Sequence, residues 1–264
     1  MSKKYVSGTG EWATHTVNIQ RGCRSDCRYC FAKANSIRFG RSTSENWTTP
    51  TIDEKAVNKK YGKKTGTIMF PSSHDIHPDN VNDCIKVLLA MVKAGNKVLV
   101  VSKPHLECVE KLCASLDGYQ DNILFRFTIG SASDEVLSFW EPNAPKFAER
   151  LVCLKLAHGQ DFATSVSCEP MLDDQVSLVV DAVKPFVTDA IWLGKPNKLL
   201  LRSGMNTKCE DETTRMAEAL LDKMNDRFIH CLYKHYRDDP MIKWKDSIKQ
   251  IVGLERSTVK GLDA

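Results

Sequence analysis

Long apolar stretches are missing from this chain. None approaches the roughly 18 residues that a helix needs to cross a bilayer, so no membrane association is expected. The opening Met1-Ser-Lys-Lys has no apolar h-region, and a cytoplasmic location is expected. Glycine and proline are sparse, 14 and 10 in 264 residues, and no collagen-like or low-complexity repeat is present. With 42% hydrophobic and 27% charged residues the chain is too apolar to stay disordered. It also lacks paired cysteine knuckles. Of its 10 cysteines, Cys84, Cys108, Cys113, Cys153, Cys168, Cys209 and Cys231 are scattered singly, most of them within helical or strand patterns. A disulfide scaffold belongs to small secreted chains, and scattered buried thiols in a reducing compartment fit this one better.

No large excess of one charge is present either. There are 37 Lys and Arg against 33 Asp and Glu, a formal net charge of +4. The placement is uneven: residues 1–66 hold 13 basic and 5 acidic side chains, and the remainder holds 24 and 28. A basic front third fits contact with a polyanion such as nucleic acid, or a solvated surface near an anionic cofactor.

Hydrophobic runs alternate with helical patterns at short spacing, as in parallel βα proteins. Strands are expected over 16–20, 67–70, 97–102, 122–129, 162–167 and 190–194. Between the second and third, Val81, Ile85, Leu88, Leu89 and Val92 recur at helical spacing, with Asp79 placed to cap and Gly95 just past the end. Further helices are expected after Pro104, after Pro145 as far as Gly159, over 175–185 and near 210–226. Six βα units in a row predict an α/β fold, a partial (β/α)6 TIM-like barrel, with a doubly wound open sheet as the alternative. Both architectures place chemistry at the C-terminal ends of the strands. Residues 1–229 are expected to form the barrel and 230–264 a C-terminal extension packed on it, with 241–251 an added strand or short helix over an edge. Residues 55–66 (KAVNKKYGKKTG) read as an exposed basic loop.

The remaining cysteines crowd together in Arg21-Gly-Cys-Arg-Ser-Asp-Cys-Arg-Tyr-Cys-Phe31. Cys23, Cys27 and Cys30 come after the first expected strand with the spacing Cys-x3-Cys-x2-Cys. Three thiolates on one loop can hold three irons of a [4Fe–4S] cubane. With no fourth cysteine nearby, one iron is left without a protein ligand, and an open coordination position marks a reactive centre rather than a structural one. A structural zinc site would need a distant fourth ligand and normally shows a second knuckle.

This pattern, with Tyr29 before the third cysteine and on the first loop of a six-fold βα barrel, resembles the radical S-adenosylmethionine (SAM) superfamily. The resemblance covers about residues 15–200 and is nearest the branch that includes spore photoproduct lyase. There a Glu-Pro-x-x-Pro stretch precedes a helix carrying an Arg, matched here by Glu141-Pro142-Asn143-Ala144-Pro145 and Arg150. The resemblance implies that Cys23, Cys27 and Cys30 ligate a [4Fe–4S] cluster whose fourth iron is chelated by SAM, with Tyr29 against the adenine. Pro71-Ser72-Ser73-His74-Asp75 stands where the superfamily has a Gly-Gly-Glu-like segment. The glycines are absent, so Ser72, Ser73 and Asp75 are assigned to SAM by position. Lys103 matches a lysine near the SAM carboxylate, and Thr128 replaces a serine that contacts SAM. The implied chemistry is one-electron cleavage of SAM to a 5′-deoxyadenosyl radical that takes a hydrogen atom from substrate. The protein's part is binding, orientation and exclusion of competing reactions. An external flavodoxin- or ferredoxin-like reductant is implied as partner.

Other residues are weighed on chemistry alone. Cys168 is a candidate hydrogen-atom donor, although the branch's own donor cysteine lies elsewhere in the chain and a small buried thiol is the alternative. His74 and His77 could contact substrate or SAM, or simply satisfy loop hydrogen bonds. Arg126 and Glu169 lie near strand ends. Glu141 and Arg150 are read as an ion pair fixing the loop over the site. Gly194, Lys195 and Asn197 could meet substrate or form a solvated turn. The functional expectation is a radical SAM enzyme, a lyase, isomerase or base-modifying enzyme acting on a nucleic-acid base or nucleotide derivative. The alternative is a non-catalytic Fe–S or zinc module that binds nucleic acid.

Overall fold

The computed structural model describes residues 4–262. Nine strands are present among them: β1 (His15–Thr16), β2 (Gln20–Arg21), β3 (Thr51–Ile52), β4 (Thr67–Phe70), β5 (Lys97–Ser102), β6 (Ile123–Thr128), β7 (Ala163–Cys168), β8 (Ile191–Leu193) and β9 (Ile242–Trp244). Seven form one parallel sheet in the order β1-β4-β5-β6-β7-β8-β9, so each strand pairs with the next sheet strand along the chain. That sequential order is the order of a barrel and not of a doubly wound sheet, whose order reverses at a switch point. The sheet is a partial TIM-like barrel with β1 and β9 at its two edges.

Strand alternation sorts the side chains into two layers. Phe70, Val98, Val100, Phe125, Phe127, Val166 and Leu193 pack outward against the helices in the main core. Met69, Leu99, Ala190 and Trp192 face inward around Trp12. Helix Val81–Lys93 shows why the helices dock: Val81, Cys84, Val87, Leu88, Met91 and Val92 are all buried along one stripe. Each fully buried aliphatic side chain of this kind contributes about 1.5–3 kcal/mol. Asn80, rather than Asp79, is the residue at this helix's N-cap position. Its Oδ1 accepts the His77 N–H at 2.9 Å, which turns the chain into the helix.

The strand expected over 16–20 is split. Only His15 and Thr16 pair with β4. Asn18 then turns its amide to the loop after β4, and Ile19 O accepts Asp53 N at 2.7 Å. Gln20 and Arg21 therefore pair antiparallel with Thr51 and Ile52 in a separate ribbon. The basic segment begins with a short helix, Glu54–Val57, whose Val57 is buried, and the residues from there to Gly66 are mostly exposed.

β9 lies parallel beside β8 and leads into helix Asp246–Val252. The N-terminal helix Thr9–Trp12 pushes Trp12 edge-on against Trp192, ring centroids 5.7 Å apart. The two ends of the chain meet here. Lys245 Nζ lies 2.9 Å from Glu11 Oε1 and donates to Gly8 O at 3.0 Å. Asp246 N donates to Glu11 Oε2 at 2.8 Å. No described helix is long and apolar enough to cross a membrane.

Candidate metal centre and cofactor site

The cysteine loop leaves the β2–β3 ribbon at the C-terminal side of the barrel strands. Gly22 has φ 86°, and a Cβ there would lie 2.6 Å from the Trp47 carbonyl oxygen. That same carbonyl accepts Cys23 N at 3.0 Å, so the entry to the loop is fixed by backbone. Cys30 N donates to Cys27 O at 3.0 Å, and the Cys30 Sγ caps helix Phe31–Arg38 by accepting Lys33 N at 3.3 Å. From across the barrel, Asn206 Nδ2 donates to Arg28 O at 2.9 Å and Cys30 O at 3.0 Å. Lys33 Nζ closes on Asp26 Oδ1 at 2.6 Å.

All three thiols are free; Cys23 and Cys27 are buried and Cys30 is half-buried. Burial pushes the Cys23 thiol up to about 12 and raises Cys27 and Cys30 as well. Such thiols become thiolates only beside a strong positive charge, which a metal supplies while displacing their protons. Among the described residues no three His, Cys, Asp or Glu side chains are grouped for a single metal ion. Three free thiols on one clamped loop could hold three corners of a [4Fe–4S] cubane.

Asp75 stands directly against this loop. Its N–H points to Cys23 Sγ at 3.4 Å. Oδ2 accepts Ser25 Oγ at 2.7 Å and Lys103 Nζ at 3.2 Å, and Oδ1 accepts Lys103 N at 3.0 Å. Burial alone would raise the Asp75 carboxyl, but the Lys103 ammonium and these donors hold it well below the usual carboxylate range. Burial likewise opposes the Lys103 charge, and Asp75 outweighs it, so Lys103 stays protonated. Ser72 and Ser73, both half-buried, are pinned by Asn18, whose Oδ1 accepts their N–H groups at 2.7 and 2.9 Å.

A second group adjoins the first. The Tyr29 hydroxyl donates to Glu141 Oε1 in a short hydrogen bond. Glu141 Oε2 pairs with Arg150 at 2.5 Å, and both side chains are fully buried. Arg150 also donates to Pro145 O at 2.7 Å and to Thr128 O at 3.1 Å. The expected Glu141–Arg150 ion pair is thus present. It ties Tyr29 of the cysteine loop to the end of β6, where Thr128 is half-buried on the same strand face as inward Arg126.

The other candidates lie apart. Cys168 is buried in the outward core with Val166, on the opposite face of β7 from Ser165 and Ser167, and burial raises its thiol. It is not brought to the cysteine loop. His74 is buried and satisfied as a neutral ring, Nε2 accepting Ile19 N at 3.3 Å and Nδ1 donating to Asp75 O at 3.1 Å; burial lowers its pKa. His77 packs edge-on against His105 at 4.6 Å. Arg126 lies mid-strand between Trp12 and Trp192, donating to Ser165 Oγ at 2.9 Å and Asp189 at 3.0 Å. Half-buried Glu169 is 3.4 Å from Lys245, and a Cβ on Gly194 would lie 2.8 Å from Glu169 Cγ. Lys195 reaches toward Asp226 at 3.8 Å, and Asn197 is exposed. Ser25, Asn18 and Asn206 were not singled out by sequence reasoning, because each acts through a partner more than 45 positions away.

The parallel partial barrel has counterparts among solved structures. Spore photoproduct lyase superposes with a TM-score of 0.55 at 15% identity, covering 92% of this chain and 79% of the lyase. A lyase variant has been solved with AdoMet and a dinucleoside spore photoproduct bound. SuiB of Streptococcus suis, solved with S-adenosylmethionine, superposes with a TM-score of 0.52 at 12% identity, covering 94% of this chain and 54% of SuiB. This chain therefore spans little more than half of SuiB. No family model matches the chain. By sequence, the uncharacterised protein ORF301 of Acidianus two-tailed virus is 22% identical over 250 residues, 85% of this chain and 80% of that protein. The chain shares its fold with spore photoproduct lyase and SuiB.

Proposed function

We propose that this protein is a radical SAM enzyme in which Cys23, Cys27 and Cys30 hold a [4Fe–4S] cluster with one iron open to SAM. The observation that carries this reading is the clamped loop of three free thiols beside the Asp75–Lys103 pair, at the strand ends of a radical SAM fold. When bound, such a cluster supplies the electron that cleaves SAM, and the resulting 5′-deoxyadenosyl radical takes a hydrogen atom from substrate.

The chain's own residues bind and orient. Lys103, whose ammonium is favoured by Asp75, would meet the SAM carboxylate. Asp75, whose carboxylate is favoured by Lys103 and Ser25, would meet its amino group. Ser72 and Ser73 offer hydroxyls at the same rim, and Tyr29 and Thr128 line the side braced by Glu141 and Arg150. The buried interior around Trp12 and Trp192 would keep water and stray hydrogen donors from a reactive radical. For the substrate, the likeness to a lyase that binds a dinucleoside photoproduct and the basic front third support a nucleic-acid base or nucleotide derivative. An external one-electron reductant completes the requirement.

The test is anaerobic reconstitution with iron and sulfide, reduction with dithionite in the presence of SAM, and assay for 5′-deoxyadenosine. The wild-type protein is expected to be brown and to form the nucleoside; Cys27→Ala is expected to lose both iron and product. A fully loaded cluster that yields no nucleoside would favour the non-catalytic metal-binding module.

A further inference from the structure

Three donors inside the barrel are buried without an acceptor. Arg126 is fully buried, with Nε donating to Ser165 Oγ and Nη2 to Asp189, while Nη1 has no partner among the described residues. Trp12 Nε1 and Trp192 Nε1 are likewise buried and unmet. The Arg126 guanidinium lies 4.8 Å from the Trp12 ring centroid and 5.2 Å from that of Trp192. Of the eight buried side-chain nitrogens and oxygens left unpartnered among the described residues, three therefore belong to side chains packed on one another. Buried polar groups are nearly always paired, so a cluster of unmet donors calls for an acceptor from outside the chain. Burial pulls the guanidinium down to about 10 even with Asp189 beside it.

Arg126 also lines a cavity of about 400 Å³. The cavity opens among Thr67, Lys97, Ile123 and Ala163, the first residues of β4 to β7, at the end of the barrel opposite the cysteine loop. Its walls carry Leu99, Leu124 and Ala163, which stand level across β5, β6 and β7. Arg126 is the next residue after Leu124 on the inward face of β6, so its guanidinium stands at the inner end. An apolar cavity of this size with one fixed polar group is the usual form of a small-molecule site. Exposed Lys97, Asp121 and Asp161 stand at the rim. With Asp189 on the guanidinium, Arg126 and Lys97 meet three carboxylates, and no surplus positive charge is left for an anion.

We infer that this cavity binds a small, uncharged, mainly apolar molecule whose carbonyl or amide oxygen accepts a hydrogen bond from Arg126 Nη1. Its apolar body lies against Leu99, Leu124 and Ala163. The guanidinium is held by two indole rings, Ser165 and Asp189 before any ligand arrives, so little ordering is left to be done on binding. A carboxylate would reach the same nitrogen but would also face Asp189 and the rim acids. The site is separate from the proposed SAM residues, since Lys103 and Thr128 stand at the other ends of β5 and β6, and it does not depend on the cluster chemistry.

The test uses benzamide as the probe, with toluene as the same ring lacking an acceptor and benzoate as the anionic counterpart. Each is titrated against the full chain by ligand-observed NMR. Benzamide should bind saturably and about tenfold or more tightly than toluene, which leaves the donor unmet. Benzoate should bind more weakly than benzamide. Ala163→Trp fills the cavity from an exposed rim position and should abolish saturable benzamide binding with an unchanged far-ultraviolet dichroism spectrum. Arg126→Met should keep toluene binding and lose the preference for benzamide; if that variant does not fold, Ala163→Trp decides. Equal affinity for benzamide and toluene overturns the proposal, as does tighter binding of benzoate or benzamide binding that survives Ala163→Trp. Absence of saturable benzamide binding also overturns it and leaves ordered water as the acceptor. No SAM cleavage is needed for the titration, so a failed 5′-deoxyadenosine assay bears on the enzyme reading alone.

Discussion

Asp75 accepts hydrogen bonds from Ser25 and from both the backbone and the ammonium of Lys103, while its own N–H faces Cys23. A buried pair of this kind is held by mutual compensation, and removing one member leaves the other as an unpaired charge in a low-dielectric site. Asp75→Asn keeps the shape and removes the anion. We expect it to lower stability by about 3–5 kcal/mol, read as a lower urea midpoint at unchanged m-value. The conservative appearance of the change is misleading, because among the described residues Lys103 has no second carboxylate within ion-pair distance. Among single residues, the three cysteines and the Glu141–Arg150 pair were legible from spacing and from family likeness. Ser25 and Asn206 were not: a serine inside a cysteine loop and an asparagine on a distant helix carry no local signal until the barrel brings them together.

At the level of elements, the cysteine loop depends on the turn that begins it. Gly22→Ala would force a side chain both into a positive-φ position and against the Trp47 carbonyl. Neither can yield without moving Cys23, whose N–H bonds that same oxygen. The variant is expected to fold, with an unchanged far-ultraviolet dichroism spectrum, but to bind less iron per chain after reconstitution. The strands over 67–70 and 97–102 were readable to the residue, since runs such as Lys97-Val-Leu-Val-Val-Ser102 are apolar on both faces and have one way to be buried. The first strand was not. Thr16-Val-Asn-Ile-Gln20 has good strand composition, but Asn18 has a competing use: its side chain holds the Ser72–Ser73 backbone, and the ladder passes to Thr51 and Ile52. Composition records the propensity for extension and not the partner strand, which lies about 30 positions away.

For the whole molecule, the contact between Glu11 and Lys245 joins the two edges of the open sheet. Burial raises the Glu11 carboxyl even with Lys245 beside it. An acid whose folded-state pKa is raised weakens the fold as pH climbs from the unfolded value, near 4.3, through the folded one. Lys245→Met removes the main influence that opposes this rise. The variant should lose about 3–5 kcal/mol at neutral pH and regain part of it as the buffer is taken toward pH 5, so its melting temperature rises on acidification over a range where the wild type changes little. A melting temperature that falls with acid in the variant would contradict the assignment of Glu11 as its buried, unpaired group. The same joint has a consequence for biosynthesis. Glu11 and Asp246 are bonded across 235 positions, and translation at about 5–20 residues per second separates their appearance by tens of seconds. For most of that interval the three thiols of the cysteine loop stand on an incomplete scaffold, so oxygen tension during expression should govern the yield of protein able to take up iron.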